Sequence, residues 1–110
     1  MSLSITLKFT SGMELLVKDK AKEVMAQLPA TVGNVADGSS YPVTMKELIE
    51  HVRDSVIDER CNKDLFYKDT TVRPGILVII NESDWEVEDG PDYKLQDGDV
   101  IEFISTLHGG

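Results

Sequence analysis

Cys61, His51, His108 and a run of carboxylates are the side chains here that can carry chemistry. A catalytic thiol needs an activating base or a positive field. Cys61 has only Arg60 and Lys63 near it in the chain, a common local pattern, so an incidental loop thiol is favoured over a nucleophile. His51 falls at the flank of an apolar helical stripe, where a solvated or half-buried place accounts for it. His and Cys number 2 and 1, with neither HExxH nor paired-cysteine spacing, which gives a metal site no support. Glu82, Asp84, Glu86, Glu88, Asp89 and Asp92 cluster without the ligand spacing of an EF-hand loop. A solvated acidic face is favoured over calcium binding. No glycine-rich phosphate cradle is present. This silence favours a binding module or a substrate over an enzyme.

The ending Gly109-Gly110 has two readings. Glycines are frequent at frayed termini. A terminal carboxylate is also a poor electrophile, because it is anionic and its oxygen leaves badly. Another enzyme must adenylate it before a thiol, amine or sulfide can attack. To be adenylated the tail must thread a narrow channel beside ATP, where a Cβ would clash and a stiff backbone could not conform. A glycine pair on a flexible tether meets that need. The pair alone is weak evidence; closing a β-grasp pattern it is strong, because fold and tail then predict the same role.

The elements that would present such a tail can be read from periodicity. Leu3, Ile5, Leu7 and Phe9 alternate with Ser4, Thr6 and Lys8, the pattern of a half-buried strand. Thr10-Ser11-Gly12 supplies turn chemistry, and Met13, Leu15 and Val17 resume the alternation, so an opening hairpin is expected with Leu16 at an outward parity. Residues 21–28 suit either a strand or a helical turn, and residues 29–42 read as a long exposed loop. Thr44-Met45-Lys46-Glu47 is a capping box, and Met45, Leu48, Ile49, Val52 and Val56 form one apolar helical stripe. Ile76-Leu77-Val78-Ile79-Ile80 is a β-branched run suited to an interior strand. Trp85 and Val87 suggest a short strand, and Gln96-Asp97-Gly98-Asp99 turns the chain into a last strand over residues 100–104. One helix covers one face of a mixed four- to five-stranded sheet. The expected class is α+β, with the β-grasp of ubiquitin leading, a domain over 1–104 and a flexible tail over 105–110.

Lys and Arg total 11 against 20 Asp and Glu, a formal charge of -9 and a pI near 4.5. That field repels phosphates, so direct nucleic-acid binding is not expected and a basic docking partner is. One cysteine excludes an intramolecular disulfide and fits a reducing compartment. No apolar run reaches the roughly 20 residues of a membrane span, and the alternating N-terminus is unlike a signal peptide. The Asn81-Glu82-Ser83 sequon is therefore discarded. A cytoplasmic location is expected, with the nucleus as a second one, and a monomer is the default for a chain that must insert its end into several partners.

Val72-Arg73-Pro74-Gly75-Ile76-Leu77-Val78-Ile79-Ile80-Asn81, Asp84-Trp85-Glu86, Asp92-Tyr93-Lys94-Leu95-Gln96-Asp97-Gly98-Asp99 and Phe103-Ile104-Ser105-Thr106-Leu107-His108-Gly109-Gly110 closely resemble the ubiquitin-related modifier family of sulfur carriers and protein modifiers. Upstream the likeness is one of kind, and residues 29–42 look longer than the family's loop. The resemblance implies no bound cofactor. It implies that an E1-like adenylyl- and sulfurtransferase with a rhodanese domain, using ATP and magnesium, adenylates Gly110 and converts it to a thiocarboxylate. The sulfur would pass to a tRNA 2-thiolation enzyme complex that acts on wobble uridine, and the same terminus would be joined to lysines of target proteins through an isopeptide bond. Gly109, His108 and Leu107 would fit the activating enzyme's channel, and Cys61 matches no catalytic motif of the family. Leu16, Val100 and Ile104 stand at outward parities; a docking patch on the uncovered sheet face and burial under loops are equally open there. The alternatives are a sulfur carrier for thiamine or molybdopterin synthesis, against which Ser105-Thr106-Leu107-His108 argues, and a ubiquitin-like interaction domain whose tail is never activated.

Overall fold

Alternation of apolar and polar residues produces β1 (Ser2–Thr10). In the computed structural model, which describes residues 2–34 and 36–106, Leu3, Ile5, Leu7 and Phe9 are buried on one face of that strand. The strand expected over residues 13–17 does not form. The chain leaves β1 through Ser11 and Gly12, both at positive φ, into a 3-10 turn at Met13–Leu16. Met13 and Val17 lie four apart, which suits a helical turn as well as a strand, and both are buried. The turn reverses the expected parity: Leu15 is 59% exposed and Leu16 is half-buried against the core.

The partner of β1 is β2 (Glu23–Pro29), antiparallel from Ser2↔Pro29 to Lys8↔Glu23. Residues 29–42, expected as one open loop, close into a small hairpin of β3 (Thr31–Val32) and β4 (Tyr41–Pro42). Gly33 makes this possible: it sits at φ +95, and a Cβ there would lie 2.7 Å from the Ser39 carbonyl oxygen.

The helix α1 (Met45–His51) begins where the capping box places it. The Thr44 N–H and hydroxyl donate to Glu47 Oε1 at 2.8 and 2.9 Å. Met45, Leu48, Ile49, Val52 and Val56 are all buried. After Val52 the helix widens, and the Ile57 N–H donates to the Val52 oxygen at 2.9 Å across five residues. No described helix is long and apolar enough to cross a membrane.

A second small hairpin, β5 (Tyr67–Lys68) and β6 (Thr71–Val72), follows the buried Phe66. The strands β7 (Ile76–Ile80), β8 (Ser83–Asp84) and β9 (Val100–Ser105) complete a five-stranded sheet in the order β2-β1-β9-β7-β8. Trp85 and Val87 are not a strand. Asp84 accepts from the Glu86 N–H at 2.9 Å and caps a 3-10 turn, Trp85–Glu88.

β9 runs parallel to β1 and antiparallel to β7, and α1 packs on one face. This is the expected α+β, β-grasp architecture. The registers Leu7↔Ile101, Phe9↔Phe103 and Val78↔Phe103 set the apolar rows under the helix. Phe103 stacks on Phe9 at 5.5 Å and meets Phe66 edge-on at 5.4 Å, so the centre of β9 is anchored by aromatic burial worth about 2–3 kcal/mol per ring.

Candidate functional site

The strand that delivers the C-terminus is β9, and the structure fixes it at both ends. At its start Asp99 is 6% exposed. Its carboxylate accepts from Asn81 Nδ2, the Tyr93 hydroxyl and the Gln96 N–H, each at 2.9 Å. Asn81, at φ 48, also binds the strand directly: its Oδ1 accepts from the Val100 N–H at 2.8 Å, and its own N–H donates to the Val100 oxygen at 2.8 Å. Burial, and then the bond to Asp99, pushes the Tyr93 phenol up to about 12. The turn before β9 is also tied to β1, where the Ser4 N–H donates to Asp97 Oδ1 at 2.7 Å and the Gly98 N–H to the Ser4 oxygen at 2.8 Å. The sequence shows only the Asp97-Gly98-Asp99 turn. The convergence of Asn81 and Tyr93 on Asp99 has no local signature.

At its end β9 outlasts the expected boundary after residue 104. Ser105 pairs with Ile76, and the Thr106 N–H donates to the Gly75 oxygen at 2.9 Å. The Thr106 hydroxyl donates to that same oxygen. The boundary moves because Gly75, at φ +101, turns its carbonyl to the strand end. Leu107, His108, Gly109 and Gly110, the expected tail, lie outside the described residues.

The sheet face opposite α1 carries the second expected feature. Val100 and Ile104 stand on it half-buried, as expected from their parity. Leu77 and Ile79 of β7 join them, through the registers Leu77↔Ile104 and Ile79↔Glu102. Both were legible in principle, because alternate residues of a β-branched run must face the far side. Leu16 is not on these strands; it lies in the 3-10 turn, half-buried against the core. A polar group interrupts the patch: Glu102 stands between Val100 and Ile104 on this face, pairs in register with Lys8, and accepts at Oε2 from the Thr10 hydroxyl at 3.0 Å.

Cys61 is half-buried, its Sγ 3.9 Å from the Leu15 oxygen. The neighbouring Arg60 guanidinium is engaged elsewhere, with Nη2 2.8 Å from Asp58 Oδ2. Those bonds hold the Asp58 carboxyl down at about 2. The positive field that would activate a thiol is thus matched to a carboxylate. His51 is half-buried at the end of α1. Among the described residues no group of His, Cys, Asp or Glu is arranged to hold a metal ion.

The family model described as Urm1 (Ubiquitin related modifier) matches residues 4–110. The chain is 44% identical over 110 residues to the ubiquitin-related modifier 1 homolog of Bombyx mori, covering 99% of this chain and 97% of that one. It is 44% identical over 109 residues to the ubiquitin-related modifier 1 homolog 1 of Arabidopsis thaliana, covering 98% and 100%. The solution structure of Urm1 from Trypanosoma brucei superposes with a TM-score of 0.70 at 40% identity, covering 99% of this chain and 97% of that one.

Proposed function

The chain belongs to the ubiquitin-related modifier family, and from that premise we propose that it is a sulfur carrier and protein modifier whose working atom is the terminal carboxyl carbon of Gly110. The match of the family model through residue 110, taking in Gly109 and Gly110, carries the reading. An E1-like adenylyl- and sulfurtransferase with a rhodanese domain adenylates Gly110 with ATP and magnesium, releasing pyrophosphate. Sulfur at the oxidation level of sulfide then attacks the acyl carbon and AMP leaves, so the terminus becomes a thiocarboxylate. A tRNA 2-thiolation complex takes the sulfur for wobble uridine, and lysines of target proteins take the activated terminus as an isopeptide. The chain supplies no catalytic group; it is the substrate of the activating enzyme.

The physical chemistry supports this division of labour. A charge of -9 repels tRNA, so the thiolation enzyme holds the RNA. Gly109, His108 and Leu107 enter the activating enzyme's channel. The open-face patch of Leu77, Ile79, Val100 and Ile104 docks that enzyme, since half-exposed apolar groups gathered on one face favour a partner surface. The work is done in the cytoplasm, by a monomer.

Intact mass spectrometry after incubation with the activating enzyme, ATP and a sulfur donor tests the reading. Exchange of one terminal oxygen for sulfur supports it. An unmodified terminus points to a ubiquitin-like interaction domain that is never activated.

A further inference from the structure

We infer that Thr106 and Gly75 form a clamp that sets the origin and reach of the C-terminal tail, which makes Thr106 a positioning residue for activation. The inference rests on the reading of Gly110 as the activated residue. On the β1 side, pairing of β9 ends at Thr10↔Ile104, and on the β7 side at Ile76↔Ser105. A strand released there would fray. Instead both hydrogen-bond donors of Thr106, its N–H and its hydroxyl, converge on the single carbonyl oxygen of Gly75.

That carbonyl is held from behind. Arg73-Pro74-Gly75-Ile76 is a closed turn, with the Ile76 N–H donating to the Arg73 oxygen at 3.1 Å and Gly75 at φ +101. Proline followed by a left-handed glycine is the chemistry of a type II turn. The Arg73 N–H in turn donates to the Phe66 oxygen at 2.7 Å, and Phe66 is fully buried against Phe103. The clamp therefore transmits the rigidity of the core to Thr106. From Thr106 to Gly110, the residue read as activated, the chain advances four residues, through Leu107, His108 and Gly109, which extend at most about 14 Å at ~3.3–3.6 Å per residue. An activating enzyme must bring its nucleotide within that distance of the Gly75 corner of the sheet. A fixed origin leaves fewer tail conformations to be ordered on binding, so loss of the clamp acts on KM rather than kcat.

The test uses the full chain and the E1-like enzyme, with ATP–pyrophosphate exchange as readout and the melting temperature of each variant beside it. Thr106→Val keeps the N–H and the branched shape but lacks the hydroxyl donor; Thr106→Pro lacks both donors; Thr106→Ser keeps both. The clamp predicts that KM rises about threefold for Thr106→Val and about tenfold for Thr106→Pro, the latter equal to ~1.4 kcal/mol, which is the scale of ordering one residue's backbone. It predicts an unchanged kcat and a normal KM for Thr106→Ser. Gly75→Ala, strained at its positive φ, should raise KM, and the rise should not add to that of Thr106→Val, because both disturb one contact. Additive effects would mean that Thr106 touches the enzyme directly and would overturn the clamp. Unchanged KM in Thr106→Val and Thr106→Pro, with a normally activated wild type, would overturn it as well. A wild-type chain that supports no exchange would instead overturn the Gly110 reading and the clamp's role with it.

Discussion

Exchanging Asn81 and Asp99 probes the polar anchor at the start of β9. In the native pair Asp99 Oδ1 accepts from Asn81 Nδ2, while Oδ2 serves Tyr93 and Gln96. Asp99→Asn must turn an NH2 toward a donor whichever way the amide points. Asn81 cannot relieve the conflict by flipping, because its Oδ1 is committed to the Val100 N–H. Losing one charge-assisted bond beside a buried group costs about 1.5–3 kcal/mol; the exposure of Asn81 to water puts the expectation at about 1.5–2 kcal/mol. Asn81→Asp alone sets two carboxylates against each other and costs about 1–2 kcal/mol. The double exchange gives every donor an acceptor again. The carboxylate then at position 81 would take the Val100 N–H and the NH2 of the amide at position 99, while that amide's oxygen would keep Tyr93 and Gln96. An aspartate is also tolerated in the left-handed conformation of position 81. Urea unfolding of the four proteins should therefore give a favourable coupling of about 2–3 kcal/mol, with the double variant within about 1 kcal/mol of wild type. Costs that simply add, within about 0.5 kcal/mol, would show that the Asn81–Asp99 contact does not hold β9.

Tyr93 gives a pH signature of the same anchor. Its phenol is raised from 10.0 to about 12, so its stabilisation is complete below about pH 10 and is lost as pH rises through about 12. Tyr93→Phe should cost about 1–2 kcal/mol at neutral pH. The gap to wild type should close between about pH 10 and 12; a constant gap in denaturation curves across that window would contradict the bond to Asp99. On the open face, Ile104→Glu should raise KM for activation several-fold with little loss of stability. Leu16→Glu should do the reverse, lowering stability by about 1–2 kcal/mol with KM unchanged, because Leu16 packs on the core. Equal effects of the two on KM would refute the division between them.

The elements that announced themselves share a property: their signal is local. β1, α1 with its Thr44–Glu47 box, β7 and β9 each follow from a period or a cap within a few residues. The misplaced second strand shows the limit. Met13, Leu15 and Val17 satisfy a period of two, while Met13 and Val17 equally satisfy a helical turn; only the docking of Val17 beside Ile57 decides between them. β2 was ambiguous for the same reason, since Ala26 and Leu28 gain their burial from β1 across the sheet. Leu77 and Ile79 must share a face by alternation, but in an unbroken apolar run nothing local says whether that face or the one of Ile76, Val78 and Ile80 lies under the helix. Gly75 and Thr106 lie 31 residues apart, beyond the reach of any periodicity. The tail expected from Gly109-Gly110 lies outside the described residues.

The most direct measurement is intact mass spectrometry of the wild-type chain and of a chain lacking Gly110, each incubated with the E1-like enzyme, ATP, magnesium and a sulfur donor. A terminal oxygen replaced by sulfur in the wild type, and no sulfur in the folded shortened chain, is the predicted result. Sulfur on the shortened chain, or its arrival at Cys61 instead of the terminus, would contradict the assignment of the carried group to Gly110.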